Sequence, residues 1–310
     1  MEASRATTAD ALALGGVRQV LADYVTLTKP RVQLLLLLTT VTTMYVAGDP
    51  SASLVALTVV GGSLSAGGAA AVNHYWDRDI DAQMARTATR PVPSGRVAPR
   101  AALVYGLVLA ALSFLLLATT VNLLAAFLAL GGFLGYVFVY TIWLKRSTPQ
   151  NIVIGGAAGA VPPLVGWAAV TGDVGVPALL LFALVFYWTP PHFWALSLRI
   201  RKDYAAAGVP MLPVVRGIAE TSRQIVLYSI LMIAISLVLW AVARMGIVYL
   251  TAAIVLGALF LRQAVVLWQQ GSAQEASTAQ AIRLYRYSIS YLSLLFLAVA
   301  VDAVVAGQLA

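Results

Sequence analysis

The sequence predicts an all-α integral membrane protein with nine transmembrane helices, and three observations carry that prediction. Of 310 residues, 61% are hydrophobic and only 10% are charged, with a mean hydropathy of +0.87, far outside the usage of soluble domains. Uncharged runs repeatedly reach the roughly 20 apolar residues that a helix needs to cross the hydrocarbon core. The basic residues gather in alternate connections between those runs, as they do in cytoplasmic loops.

In chain order the runs place spans near 30–48, 54–74, 101–120, 123–143, 151–171, 177–198, 224–243, 247–267 and 288–306. The uncharged stretch between Arg100 and Lys145 is long enough for two of them, turning near Thr119, Thr120 and Asn122. The eighth contains Arg262 and the ninth is short. Residues 1–29 read as a cytoplasmic lead-in and residues 30–310 as the membrane domain. Residues 1–24 lack the basic start, apolar run and small-residue cleavage site of a signal peptide, leaving a polar, weakly amphipathic segment.

Of the 20 Lys and Arg residues, all but Arg244 fall on one side. That puts the N-terminus in the cytoplasm and the C-terminus outside, in what reads as a bacterial inner membrane. The net charge of +8 is then an asymmetry suited to anionic lipid headgroups or an anionic substrate, and not a nucleic-acid footprint. With no Cys there are no disulfides and no covalent heme attachment, and any metal must be held by oxygen or imidazole.

The outer connections are short and bland, whereas two inner ones, 73–100 and 199–223, are longer than joining helices requires. They lie four spans apart, so spans 1–4 and 5–8 read as parallel repeats with the ninth added. The first opens Asn73-His74-Tyr75-Trp76-Asp77-Arg78-Asp79-Ile80-Asp81. On a continued helix Asn73, Asp77 and Asp81 advance only about 40° and 6 Å per step, forming one polar stripe. Stacked carboxylates repel, and a cation removes the repulsion; hard oxygens beside an amide suit Mg²⁺. The plainer alternative pairs Asp77, Asp79 and Asp81 with Arg78, Arg86 and Arg90. Arg86 and Arg90 otherwise offer planar, multidentate donors to a diphosphate, while Arg96 and Arg100 read as positive-inside anchors.

In the second connection Asp203, with Lys202 beside it and Arg199 one turn back, reads equally as a second metal ligand or a local salt bridge. Two proline pairs fall at membrane depth, Pro162-Pro163 and Pro190-Pro191, where breaks in the backbone ladder are tolerated beside a cavity. His192 follows the second pair and is a candidate base, acid or heme contact, with a His bonded to a neighbouring helix as the plainer reading. His74 reads as an interfacial polar residue.

Together these motifs resemble the UbiA superfamily of intramembrane prenyltransferases, whose first motif runs Asn-Asp-x-x-Asp-x-x-x-Asp and whose second, also acidic, follows a later helix. Asn73, Asp77 and Asp81 match the first, and Asp203 aligns with the start of the second. His74 replaces the acid after Asn, and Ala207 stands where many members carry a last Asp. Those departures resemble the branch that farnesylates protoheme IX, as do Thr28-Lys29-Pro30-Arg31, Tyr75 through Asp81, Arg86-Thr87 with Arg90-Pro91, Tyr140-Thr141 with Leu144-Lys145-Arg146, Thr148 through Ala157, Pro191-His192-Phe193-Trp194 and Lys202-Asp203-Tyr204 with Ala207 through Pro213.

The resemblance covers Asp23 to about Gly217. It implies a UbiA-type fold with nine helices around a central cavity, and Mg²⁺ held by Asn73, Asp77, Asp81 and Asp203. Lys29, Arg90, Lys145, Arg146 and Lys202 would bind the diphosphate of farnesyl diphosphate, and His192 the acceptor, heme b. It also implies a downstream heme A synthase among the partners. The rival readings are an aromatic-acid or quinone-precursor prenyltransferase, which would share the metal site, and a heme carrier without chemistry.

Overall fold

The computed structural model describes residues 16–272 and 278–309; residues 1–15, which include Arg5 of the lead-in, and the connection at 273–277 lie outside the described residues. Among the described residues nine helical segments are long and apolar enough to cross a membrane: Pro30–Ala47, Ala52–Trp76, Pro99–Thr120, Leu123–Arg146, Asn151–Thr171, Val176–Arg199, Gly217–Val242, Ile247–Gly271 and Thr278–Val305. They are called the first to the ninth span.

Local chemistry sets their ends. Pro30 and Pro99 open the first and third spans, where a fixed φ is useful and no N–H is needed. Ser51 caps the second by accepting from Leu54 N at 3.2 Å. The turn expected near Asn122 is made by that residue. Its Oδ1 accepts from Ala125 N at 2.8 Å, and its Nδ2 donates to Ala168 O at 2.8 Å, tying the fourth span to the fifth.

Two spans start earlier than the hydropathy reading places them. The seventh begins at Gly217 instead of 224, and the ninth at Thr278 instead of 288. Hydropathy marks the part of a helix that lipid surrounds. The backbone ladder continues through Glu220–Arg223 and through Gln280–Arg286 because no Gly or Pro interrupts either stretch. The two proline pairs also behave differently. The fifth span is two helices, Asn151–Gly159 and Val161–Thr171, meeting at Ala160. The sixth runs unbroken from Val176 to Arg199 with Pro190 and Pro191 inside it, and Thr189 Oγ1 donates to Val185 O at 2.9 Å just before them.

The second span packs mainly on the third, the sixth on the seventh, and the first on the fifth and ninth. Small residues allow this. A Cβ on Gly68 would lie 2.6 Å from Gly106 O, and one on Gly166 would lie 2.3 Å from Thr40 O, so backbones touch where lipid supplies no hydrophobic drive between helices. Leu107, Phe127, Phe138 and Ile247 stay exposed, as a lipid-facing surface requires. Asp302, buried on the ninth span, accepts from Tyr249 N at 3.1 Å and pins the start of the eighth. Ahead of the first span, residues 16–27 are helical and expose Val17, Val20, Leu21 and Val25, a stripe fit for a membrane interface. Buried Asp23 on this helix accepts from Arg96 Nε at 3.1 Å.

Candidate active site at the charged end of the helices

The start of the first span and the ends of the second, fourth and sixth meet at one end of the bundle, which carries most of the charge. Lys29 directs the first span into it. The residue before a proline is kept out of the right-handed helical region, and Lys29 adopts a left-handed backbone at φ 52°, a conformation that costs a non-glycine residue about 1–2 kcal/mol. Gln33 Nε2 closes the turn onto Thr28 O at 2.7 Å. Lys29 Nζ then donates to Asn73 Oδ1 at 2.8 Å.

Asn73 ends the second span with both amide hydrogens engaged: Nδ2 donates to Asp77 Oδ2 at 2.6 Å and to Thr141 Oγ1 at 3.2 Å. Asp77 takes one non-helical residue between Trp76 and the short helix Arg78–Gln83. Asp77 N still bonds Asn73 O at 2.9 Å and Asp81 N bonds Asp77 O at 2.8 Å. The stripe expected from the spacing is therefore realised, and Asn73, Asp77 and Asp81 are all buried.

Each buried carboxylate has its own cation. Lys145 Nζ bonds Asp77 Oδ2, and Arg90 Nη1 bonds Asp81 Oδ2 at 2.6 Å. Arg146 lies 3.6 Å from Asp77 Oδ1 and grips exposed Asp79 with two bonds of 2.6 and 2.7 Å. Those bonds hold the Asp79 carboxyl down near 2, though so exposed a pair adds little stability. The ion-pair alternative thus holds for Asp81 with Arg90. It does not hold for Arg78, which donates to Tyr75 O at 2.6 Å and lies over the Tyr75 ring. Asp77 Oδ1 is left buried with no hydrogen-bond partner among the described residues. Removal from water and the neighbouring Arg90 and Lys145 pull the Lys29 ammonium down to about 7, against the opposite pull of Asp77 and Asp81.

From Lys29 and Tyr136 a cavity of about 230 Å³ runs toward mid-bilayer between the first, second, fourth and fifth spans, past Ala69, Phe133 and Val161 to Thr40 and Val165. The fourth span makes this possible by changing from α-helix to π-helix over Gly135–Trp143. Five residues apart, Tyr136 and Thr141 would point roughly 140° apart on an α-helix. The wider winding brings Tyr136 to the cavity and Thr141 to Asn73, as π-segments at functional sites often do.

Two of the residues predicted to hold metal or diphosphate do not join this cluster. Lys202 is exposed, and Asp203 lines a different pocket with Arg199, Lys202, Leu267 and Thr278. Among the described residues no three His, Cys, Asp or Glu side chains gather to hold a metal, and Asp203 makes no ion pair there. The short helix Arg201–Ala206 instead turns Tyr204 inward. Gly208, at φ 65°, lets Val209 N bond Tyr204 O at 2.9 Å and Gly208 N bond Ala205 O at 3.2 Å, a Schellman end. Tyr204, Val209 and Met211 are buried with Ile80 and Met84, and burial pushes the Tyr204 phenol up.

His192 sits apart, between the sixth and ninth spans. Its ring stacks on Trp188 at 4.2 Å, and Nδ1 lies 2.6 Å from Ser288 Oγ. Ser288 gives its own proton to Tyr285 O at 2.6 Å. The network therefore assigns the Nδ1–H tautomer and leaves the Nε2 lone pair available. His74, expected as an interfacial polar residue, is 1% exposed, because the second span carries it into the bundle beside Asn73. Sequence reasoning missed Tyr136 and gave no role to Thr141 or Tyr204, although both stand in the motif blocks that carry the family resemblance.

A family model described as the UbiA prenyltransferase family matches residues 36–289. A protoheme IX farnesyltransferase of Chloroflexus aurantiacus is 54% identical over 292 residues, 94% of this chain and 49% of its own. One from a Roseiflexus species is 54% identical over 96% of this chain and 55% of its own, and one from a Nocardioides species is 54% identical over 94% of each. The chain spans about half the length of the first two relatives and nearly all of the third. Among solved structures, a digeranylgeranylglyceryl phosphate synthase aligns with a TM-score of 0.75 over 92% of this chain and 99% of that one. A UbiA homolog from Archaeoglobus fulgidus bound to DMAPP and Mg²⁺ aligns with a TM-score of 0.67 over 91% and 99%. At 18% identity each, these two are likenesses of fold.

Proposed function

From the premise that this chain belongs to the UbiA prenyltransferase family, we propose that it transfers a farnesyl group from farnesyl diphosphate to a vinyl group of protoheme IX, with addition of water, giving heme O and diphosphate. The observation that carries the reading is a buried acid, amide and ammonium cluster at the mouth of an apolar slot, a polar head site joined to a prenyl-sized tail site. The protoheme IX farnesyltransferase name shared by relatives at 49–54% identity supports heme as acceptor over an aromatic acid.

Magnesium fits the residues present. Asp77 keeps a buried oxygen without a hydrogen bond among the described residues, Asn73 and Asp81 add hard oxygens, and the Archaeoglobus homolog carries Mg²⁺ with a prenyl diphosphate. When bound, the ion would neutralise the diphosphate and so favour its departure. Asp203 enters this set only if its connection moves.

Lys29, Arg90, Lys145 and Arg146, already held in place by the acids and the amide, meet the charge that grows on the leaving group. The C1–O bond breaks with its electron pair on diphosphate, and the slot keeps water from the allylic cation. A heme vinyl carbon bonds C1, and water adds to the resulting cation with loss of one proton. His192, with Nε2 available, orients the heme or accepts that proton. The product would then pass to a heme-modifying enzyme such as a heme A synthase. The division of basic residues supports a cytoplasmic charged end in a bacterial inner membrane. In this cysteine-free chain, single Cys at exposed Ser94 and Ser147 should label only from the cytoplasm and at Asp173 only from outside; the reverse would overturn that side.

Purified protein given heme b, farnesyl diphosphate and Mg²⁺ should yield a heme heavier by one farnesyl group and one hydroxyl, together with free diphosphate. Chelation should stop both, and 4-hydroxybenzoate should give nothing. A prenylated aromatic acid with untouched heme would keep the family and defeat the choice of acceptor.

A further inference from the structure

His74 is a buried polar group beside the site that this reaction leaves unused. It lies near the end of the second span, 1% exposed, and neither Nδ1 nor Nε2 has a hydrogen-bond partner among the described residues. A neutral imidazole carries one N–H donor and one lone pair, so a donor and an acceptor are both unmet. Native proteins leave few such groups, and each one standing calls for a reason.

The surroundings supply one. Adjacent Asn73 spends its amide on Lys29, Asp77 and Thr141, so the near side chains are committed to one another. Three cations from three separate segments, Lys29, Arg90 and Lys145, converge on the Asn73, Asp77 and Asp81 stripe that begins beside the ring. Two of them are tied to the carboxylates of Asp77 and Asp81 and the third to the Asn73 amide. An N–H donor among cations suits a dense anion, and water there would add no charge to meet them.

Resting on the reading of this end as a diphosphate site, we propose that His74 is a further substrate-binding residue, donating a ring N–H to an oxygen of the prenyl diphosphate. His74 stands one helical turn beyond Ala70, which lines the slot, so both fall on the same face of the second span. The role differs from that of the carboxylates: His74 contributes direction to a charge that Lys29, Arg90 and Lys145 attract.

The test uses the full chain in detergent with inorganic diphosphate and Mg²⁺ as probe, followed by the KM for farnesyl diphosphate and the KM for heme. His74→Phe keeps ring shape and removes both nitrogens. Diphosphate affinity should fall by roughly tenfold, the loss expected for one bond to a charged group, with heme KM unchanged. The melting temperature should match or exceed that of the parent, since an unmet polar pair leaves the interior. His74→Gln, which retains an N–H donor, should recover part of the affinity. If His74→Phe does not accumulate, His74→Met carries the same comparison. Undiminished diphosphate affinity in the apolar variant sinks the proposal, and a lowered melting temperature with undiminished affinity assigns the ring to structure alone. A parent that binds no diphosphate would bring down both this inference and the reading beneath it.

Discussion

The connection after the second span and the one after the sixth leave the bundle in the same way, through six-residue helices, Arg78–Gln83 and Arg201–Ala206, that restart within one residue of the span. In the first, Asp77 and Asp81 are buried and the exposed face is left to Arg78 and Asp79. In the second, Tyr204 is buried and the acid, Asp203, lines an outlying pocket. The difference follows from what reaches each acid. Arg90 folds back onto Asp81 and Lys145 arrives from the fourth span onto Asp77, whereas no cation pairs with Asp203 among the described residues. A carboxylate enters a low-dielectric interior only with a partner, so the same scaffold yields a charged site once and an apolar wall once.

The largest effect that would sharpen this contrast is loss of turnover in Asp77→Ala and Asp81→Ala, on the order of 10²–10³-fold, with folded protein still accumulating in membranes. Asp203→Ala and Asp79→Ala should each cost only a few-fold. Steady-state rates on purified variants decide it, and equal loss at Asp203 would mean that the second connection swings over the site when substrate binds.

A smaller effect concerns pH. Lys29 is held near 7 in the free site, so below that pH its ammonium is charged and ready for diphosphate. Above it, binding must take up a proton, and affinity should fall by up to about tenfold per pH unit. Lys29→Arg should flatten the profile, while a change at exposed Lys202 should leave it alone. The unliganded fold should show the converse. The unfolded chain keeps this proton up to about 10.5, so the Lys29 contribution makes stability rise with pH from about 7 to 10.5. Diphosphate titrations and melting curves across that range test both signs.

The membrane class, the span count and the Asn73, Asp77, Asp81 stripe were legible in the sequence because each depends on chain-local properties: apolar length, alternation of charge and helical period. Lys29 and Lys145 were marked only through motif resemblance, since nothing in their own neighbourhoods says which acid or amide they meet. Span limits at 217 and 278 were missed because polar residues hide a helix from hydropathy without ending it.

The sequence by itself determined that this chain lives in a bilayer and that one end of it gathers most of its acids and bases. Only the tertiary structure decided which of them share a site. Packing at Gly68 and Gly106 brought the second and third spans together, and the π-helical turn of the fourth aimed Tyr136 and Thr141 at one place. Asp203 was left outside and His74 was drawn in. Which faces of long helices meet depends on side chains distant in sequence, and a buried charge settles only where that meeting supplies its partner.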